Sequence, residues 1–204
     1  HSLDMHAVFR LRGELSGSAA EGGTDALSPQ EVVEKRREMV DACRAAVRAL
    51  PWDAESRHDL AVQTYALVLD LNRLRSLGLA RPDRREMASL IQDAEEAARR
   101  AIELNPLKAK HYRTLGRLLA ETGRGANALP HLARAARLHP SISEGWFEFA
   151  EAAERLEGLS ARVCEAYRRA AALNDPDVQY HRRNLLSEQQ AARLAEAGRR
   201  CAGR

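Results

Sequence analysis

The sequence predicts an all-α fold, a solenoid of helical hairpins. A helix-forming composition, markers that recur at a period of about 34 residues, and Gly or Pro stops between apolar stretches carry that prediction. The 204 residues include 37 Ala and 27 Leu, against 3 Ile, 3 Phe and 2 Trp. The basic residues are 29 Arg and 3 Lys. Ala, Leu, Arg and Glu favour helix, while the β-branched and aromatic residues that suit strands are scarce. This argues against a β-sandwich, a barrel or a large α/β enzyme core. Charged residues make up 30% of the chain, and the mean hydropathy is −0.48. No stretch approaches the roughly 18 uncharged apolar residues of a membrane span. A soluble chain is expected.

The elements follow in order. Residues 1–12 carry Leu3, Met5, Val8, Phe9 and Leu11 without a clear helical or strand period. Residues 13–27 are rich in Gly, Ser and Ala and read as a flexible linker. Together, 1–27 form an N-terminal segment. Order is expected from Ser28-Pro29-Gln30-Glu31, which combines an N-cap Ser, a Pro at the first helical position and a Glu placed for a capping box. Helices are then predicted near 29–49, 54–76, 84–104, 109–122, 126–138, 143–157, 160–173, 177–186 and 188–200. Gly78, Gly123 and Gly158 suit left-handed helix ends. Asp53, Asp83, Ser160, Asp175 and Ser187 suit N-caps. Pro51, Pro106 and Pro140 follow helix ends. Pro130 falls inside a predicted helix, where the first turn would tolerate it.

The repeat is the strongest signal. The interval from Pro106 to Pro140 equals the interval from Tyr112 to Trp146. Between these markers runs Tyr112-x2-Leu115-Gly116-x2-Leu119, then Ala128-x3-Leu132-x2-Ala135. The next copy reads Trp146-x2-Phe149-Ala150-x2-Ala153, then Val163-x3-Tyr167-x2-Ala170. The copy before it reads Arg57-x2-Leu60-Ala61-x2-Thr64, then Ala94-x3-Ala98-x2-Ala101. Small residues at Gly116 and Ala128 let two helices cross closely, and the large neighbours fill the flanks.

This pattern resembles the tetratricopeptide repeat (TPR), whose W-x2-L-G-x2-Y, A-x3-F and Pro markers span roughly 34 residues. The resemblance covers about 38–176, and 28–176 is expected to hold about three repeats plus an incomplete leading helix. Arg57 departs from the expected aromatic. The step from Arg57 to Tyr112 exceeds one repeat period, and the surplus lengthens the first hairpin around 71–85. Residues 177–204, including Arg182 and Arg183, are expected to form capping helices, because a solenoid end exposes an apolar face. An irregular helical bundle or a Sel1-like repeat is the structural alternative.

The resemblance implies a protein–protein interaction module that binds a peptide or helix in a concave groove. Residues three and four apart share a helix face. One such stripe is Lys110, Arg113 and Arg117. The next repeat offers Glu144, Phe147, Glu151 and Glu154, and the preceding one Glu55, His58, Val62 and Tyr65. The expected groove is basic in the middle and acidic on one side, with Tyr65 and Phe147 as apolar anchors. Its residues would be Tyr65, Lys110, Arg113, Arg117, Phe147 and Glu151. For the charges the plainer alternative is a solvated helix face, and for Phe147 it is burial in the core. His58 reads as a surface residue. His58 and Val62 stand where chaperone-tail receptors of this family resemble each other in a Lys and an Asn, so that function is disfavoured.

No G-x-S-x-G, H-E-x-x-H or phosphate-cradling loop occurs, and no enzyme activity, metal or cofactor is expected. The net charge of +3 comes from 32 basic residues interleaved with 29 acidic ones, so no specific nucleic-acid partner is indicated. Cys43, Cys164 and Cys201 are odd in number and far apart. They read as small buried apolar residues rather than a disulfide framework or zinc site.

Two other functional expectations stand beside the module. The chain begins at His1 rather than Met, which points to processing or to a piece of a longer protein. It would then be the soluble C-terminal tail of a bacterial membrane protein, such as an O-antigen ligase-like polymerase, whose tails can resemble TPR arrays. Alternatively, a scaffold would self-associate through its incomplete first repeat. The compartment stays open between the cytoplasmic and periplasmic sides of a bacterial cell.

Overall fold

The computed structural model describes residues 27–175 and 185–202. Among these residues the secondary structure is helical throughout, with eight α-helices. They fall into two compact units that divide after Pro106. The first holds α1 (Pro29–Ala49), α2 (Ala54–Ser76) and α3 (Arg84–Leu104). The second holds α4 (Ala109–Glu121), α5 (Gly125–Leu138), α6 (Ser143–Glu157), α7 (Ala161–Leu173) and α8 (Glu188–Ala202).

In the first unit α1 begins at the expected capping box. Ser28 Oγ accepts from Glu31 N at 3.3 Å, and Glu31 Oε2 accepts from Ser28 N at 2.7 Å. α1 buries Val33, Met39, Val40, Cys43 and Val47 against α2. Asp53 caps α2 by accepting from Ser56 N at 2.8 Å. α2 is flanked by both α1 and α3. More of its circumference is therefore covered, and Leu60, Ala61, Thr64, Tyr65, Leu67, Val68 and Leu71 are all buried. α2 ends at Gly78, whose φ is +70°. Leu79 N donates to Leu74 O and Gly78 N to Arg75 O, the paired bonds of a Schellman end. The extra residues of this hairpin go into helix, giving 23 residues in α2 and 21 in α3. α3 buries Ala94, Ala97, Ala98 and Ala101 at three- and four-residue spacing. Arginines tie the unit across helices. Arg36 Nε lies 3.0 Å from Asp70, Arg37 2.7 Å from Glu86 and Arg44 2.9 Å from Asp93.

The second unit has two layers. α4, α6 and α8 stand in one row, joined by ion pairs, while α5 packs on α4 and α6, and α7 on α6 and α8. The α4–α5 crossing is closest at Gly116, where an added Cβ would lie 2.7 Å from Leu132 Cγ and Cδ2. Tyr112 stacks on His131 with ring centroids 6.3 Å apart. Trp146 Nε1 donates to Pro140 O at 3.0 Å, and the Arg169 guanidinium sits 4.7 Å from its ring. Ser187 and Gln190 build a second capping box at the start of α8.

Several expectations need correction. Pro130 lies in the second turn of α5 rather than the first, on its exposed side. His58 is buried, because α2 is covered from both sides. Cys164 and Cys201 form a disulfide between α7 and α8, with Cα atoms 5.6 Å apart, whereas Cys43 is a buried free thiol. The segment 1–26, most of the predicted helix 177–186, and Arg182 and Arg183 lie outside the described residues. Leu185 and Leu186 precede α8 and are not helical, and Leu186 N donates to Asn174 Oδ1 at 2.7 Å.

Candidate interaction face

The second unit brings together Lys110, Arg113 and Arg117 on α4 with Glu144, Glu148 and Glu151 on α6. Three- and four-residue spacing puts each set on one helix stripe. Arg113 Nη1 donates to Glu144 Oε2 at 2.7 Å. Arg113 Nε also lies 3.6 Å from Glu148 Oε2, and Arg117 Nε 3.6 Å from Glu148 Oε1. Those two contacts are longer than hydrogen bonds. Arg117 keeps 46% of its side chain exposed, while Glu148 keeps 11%. Glu148 Oε2 is buried without a hydrogen bond among the described residues. Burial therefore dominates and pushes the Glu148 carboxyl up to about 7, against the pull of Arg113 and Arg117 and with the help of Glu144 and Glu151.

The acidic side of α6 continues toward α8. Arg193 Nη1 lies 2.6 Å from Glu151 Oε1, and Arg200 Nη1 lies 2.7 Å from Glu154 Oε1. Glu154 Oε2 accepts from Tyr167 OH at 2.6 Å. Loss of solvent and the adjacent Glu154 raise the pKa of that phenol. The row thus alternates in sign: basic on α4, acidic on α6 and basic on α8. At the Lys110 end a hollow of about 140 Å³ opens between α4, α5 and α6, lined by Ala109, Ala135, Ile142 and Gly145 together with Lys110, Arg113 and His139.

Two expected anchors are not on this face. Phe147 is 2% exposed and packs against Tyr167, with ring centroids 6.2 Å apart. Tyr65 belongs to the first unit and is buried in the α2 core. Each lies on the covered side of a helix packed from two directions. Glu148 takes the place on the stripe expected for Phe147. From Glu144 a helix reaches both 147 and 148 within a turn, so spacing alone leaves either residue eligible. Arg193 and Arg200 carried no sequence signal beyond a basic final helix.

Among the described residues no group of three or more His, Cys, Asp or Glu is placed to hold a metal. None of the described helices is long and apolar enough to cross a membrane.

No protein-family model and no curated protein matches the sequence. Solved structures do resemble the fold. A thermophilic TPR protein of Thermus thermophilus, TTC0263, has a TM-score of 0.61 at 16% identity, over 96% of this chain and 94% of that one. A structure of MamA (MSR-1) has a TM-score of 0.53 at 14% identity, over 83% and 90% of the two chains. An O-GlcNAc transferase mutant of Thermobaculum terrenum has a TM-score of 0.50 at 17% identity. That match covers 85% of this chain but 26% of the transferase. These likenesses establish the fold: a helical-repeat protein of the TPR type.

Proposed function

We propose that this TPR-type chain is a protein–protein interaction module, and that its second unit takes a protein segment of mixed charge along the α4–α6 face. The observation that carries the reading is the half-exposed Arg117, held 3.6 Å from Glu148 rather than in a hydrogen bond, on the stripe whose Lys110 and Arg113 line the hollow. A guanidinium in that position retains donors for a carboxylate on the ligand. The hollow suits a small apolar side chain, and Glu144, the more exposed carboxylate of the stripe at 32%, suits a basic residue further along the segment. Backbone rigidity from packed helices limits the ordering cost to the ligand.

A peptide-display selection against the full chain tests this. Peptides combining acidic and small apolar residues are expected to be enriched. The Arg113→Ala/Arg117→Ala double variant should weaken their binding by roughly tenfold or more, the loss of one or two charge-assisted hydrogen bonds. Equal enrichment on the double variant, with circular dichroism showing both proteins folded, would remove the α4–α6 face as the site.

A further inference from the structure

We propose that α8 is an arm latched over α6 by the Cys164–Cys201 disulfide, and that reduction frees it and opens the Glu151–Glu154 row to a basic helical segment of a partner protein. The proposal does not rest on the α4–α6 reading, since its main readout needs no ligand.

The first observation is how little of α8 is buried. Of its 15 residues only Leu194 and Ala197 are buried hydrophobics. α6 buries Phe147, Phe149, Ala150, Ala152 and Ala153, and α7 buries Val163, Ala166, Tyr167 and Ala170. Apolar burial is the main driving force for helix docking, and two residues supply a small share of it. Among the described residues, two ion pairs and the disulfide also hold α8, and just before it buried Leu186 donates its N–H to Asn174 Oδ1. The Arg193 and Arg200 side chains are about half exposed, at 52% and 46%. Each pair joins a half-exposed arginine to a largely covered glutamate, so it holds the helix modestly and salt screens its outer partner. That leaves the disulfide, which joins residues 37 apart in sequence, as the dominant tether.

The second observation is what α8 covers. Glu151 and Glu154 lie one turn apart on α6, and their side chains are 20% and 17% exposed beneath the arm. Arg193 and Arg200, two turns apart on α8, present one guanidinium to each. α8 thus occupies the acidic row as a basic helix. When it leaves, Glu151 keeps Arg155 of its own helix and Glu154 keeps the Tyr167 hydroxyl, but each loses its α8 guanidinium, and the complementary occupant is another helix with basic residues two turns apart.

The redox step balances with a dithiol reductant. One of its thiolates attacks the sulfur of Cys201, the more exposed residue of the pair. Cys164 leaves as a thiolate and takes a proton. The reductant's second thiolate then displaces Cys201 from the mixed disulfide, and Cys201 is protonated in turn. Two electrons and two protons move to the protein, and the reductant departs as its own disulfide.

The test is hydrogen exchange on the full chain, oxidised and in dithiothreitol, with Cys164→Ser as a permanently unlatched variant. Amides of 188–202 should exchange faster by roughly tenfold or more in the reduced and Cys164→Ser proteins, while α6 and α7 keep their protection. The binding probe is a synthetic peptide of residues 187–202 carrying Cys201→Ser. It should bind the reduced protein roughly tenfold or more tightly than the oxidised one, and Glu151→Gln/Glu154→Gln should abolish that difference. Equal protection of α8 in both states would overturn the latch. So would loss of protection through α6 and α7, which would make the bond a staple for the whole unit, or alkylation of both thiols in the unreduced protein. Equal peptide binding to both forms would overturn the opened row.

Discussion

Gly116 shows how a single atom decides a helix crossing. A Cβ there would meet Leu132 side-chain carbons at 2.7 Å and the Leu132 backbone nitrogen at 3.2 Å. The side chain can turn away, but the backbone cannot, so Gly116→Ala should cost about 1–3 kcal/mol of overpacking, reduced by the better helix propensity of Ala. Urea denaturation of the full chain checks it. Glu148 offers a titration. Its folded pKa of about 7 lies above the ordinary value of 4.5, so the native state binds the extra proton between those values. Stability from this group is therefore present at pH 4.5 and lost as the pH rises toward 7. Glu148→Gln should be more stable than the parent at pH 8, by on the order of 1–3 kcal/mol, and level with it near pH 4.5. Thermal melts at the two pH values measure this. Neither effect was legible beforehand in full. The Gly116 position followed from the repeat pattern, whereas the burial of Glu148 depends on where α4 and α6 meet.

Element ends follow local chemistry. Gly123 takes φ +78° with open space around it, and Arg124 N donates to Leu119 O across the end of α4. An L side chain there is strained whatever the room, so Gly123→Ala should cost about 1 kcal/mol. Gly123→Asn should recover part of the loss, since Asn tolerates the left-handed region. Chemical denaturation of both variants tests the pair. The eight described helices lie within a residue or two of the positions expected from caps, glycines and prolines, while most of the one expected at 177–186 falls outside the described residues. Those signals act over a single turn of chain and need no tertiary partner. What they could not supply was sidedness. α2 and α6 are covered on two sides, which put His58, Tyr65 and Phe147 inside, although their spacing was compatible with an exposed stripe.

For the whole molecule, each unit is stabilised chiefly by contacts between neighbouring helices, as in repeat proteins generally. Reduction of Cys164–Cys201 should weaken the docking of α8 by at most roughly 4 kcal/mol, the chain-entropy value for a loop of this length, and leave the protection of α6 and α7 unchanged. Exchange rates of α1–α3 in the first unit should be unchanged, which mass spectrometry of peptic fragments reads directly. The disulfide also alters the reading of the cysteines. Spacing of 37 residues is no motif. It becomes a bond when a hairpin helix and the arm after it return to the same place. The arginine excess is likewise put to use, with Arg36, Arg37 and Arg44 bridging α1 to its neighbours and Arg193 and Arg200 reaching α6.

The class of fold, the order of the helices and the chemistry of their ends could all be read from the chain alone. Propensity, capping and a repeat of about 34 residues are encoded in residues near one another. Packing set the rest: which side of α6 faces solvent, that Glu148 is buried between two arginines, and that Cys164 meets Cys201. The physical reason is that a helix turns about 100° per residue, so neighbours on the wheel compete for the same face. Only the placement of the adjacent helices settles which of them is covered.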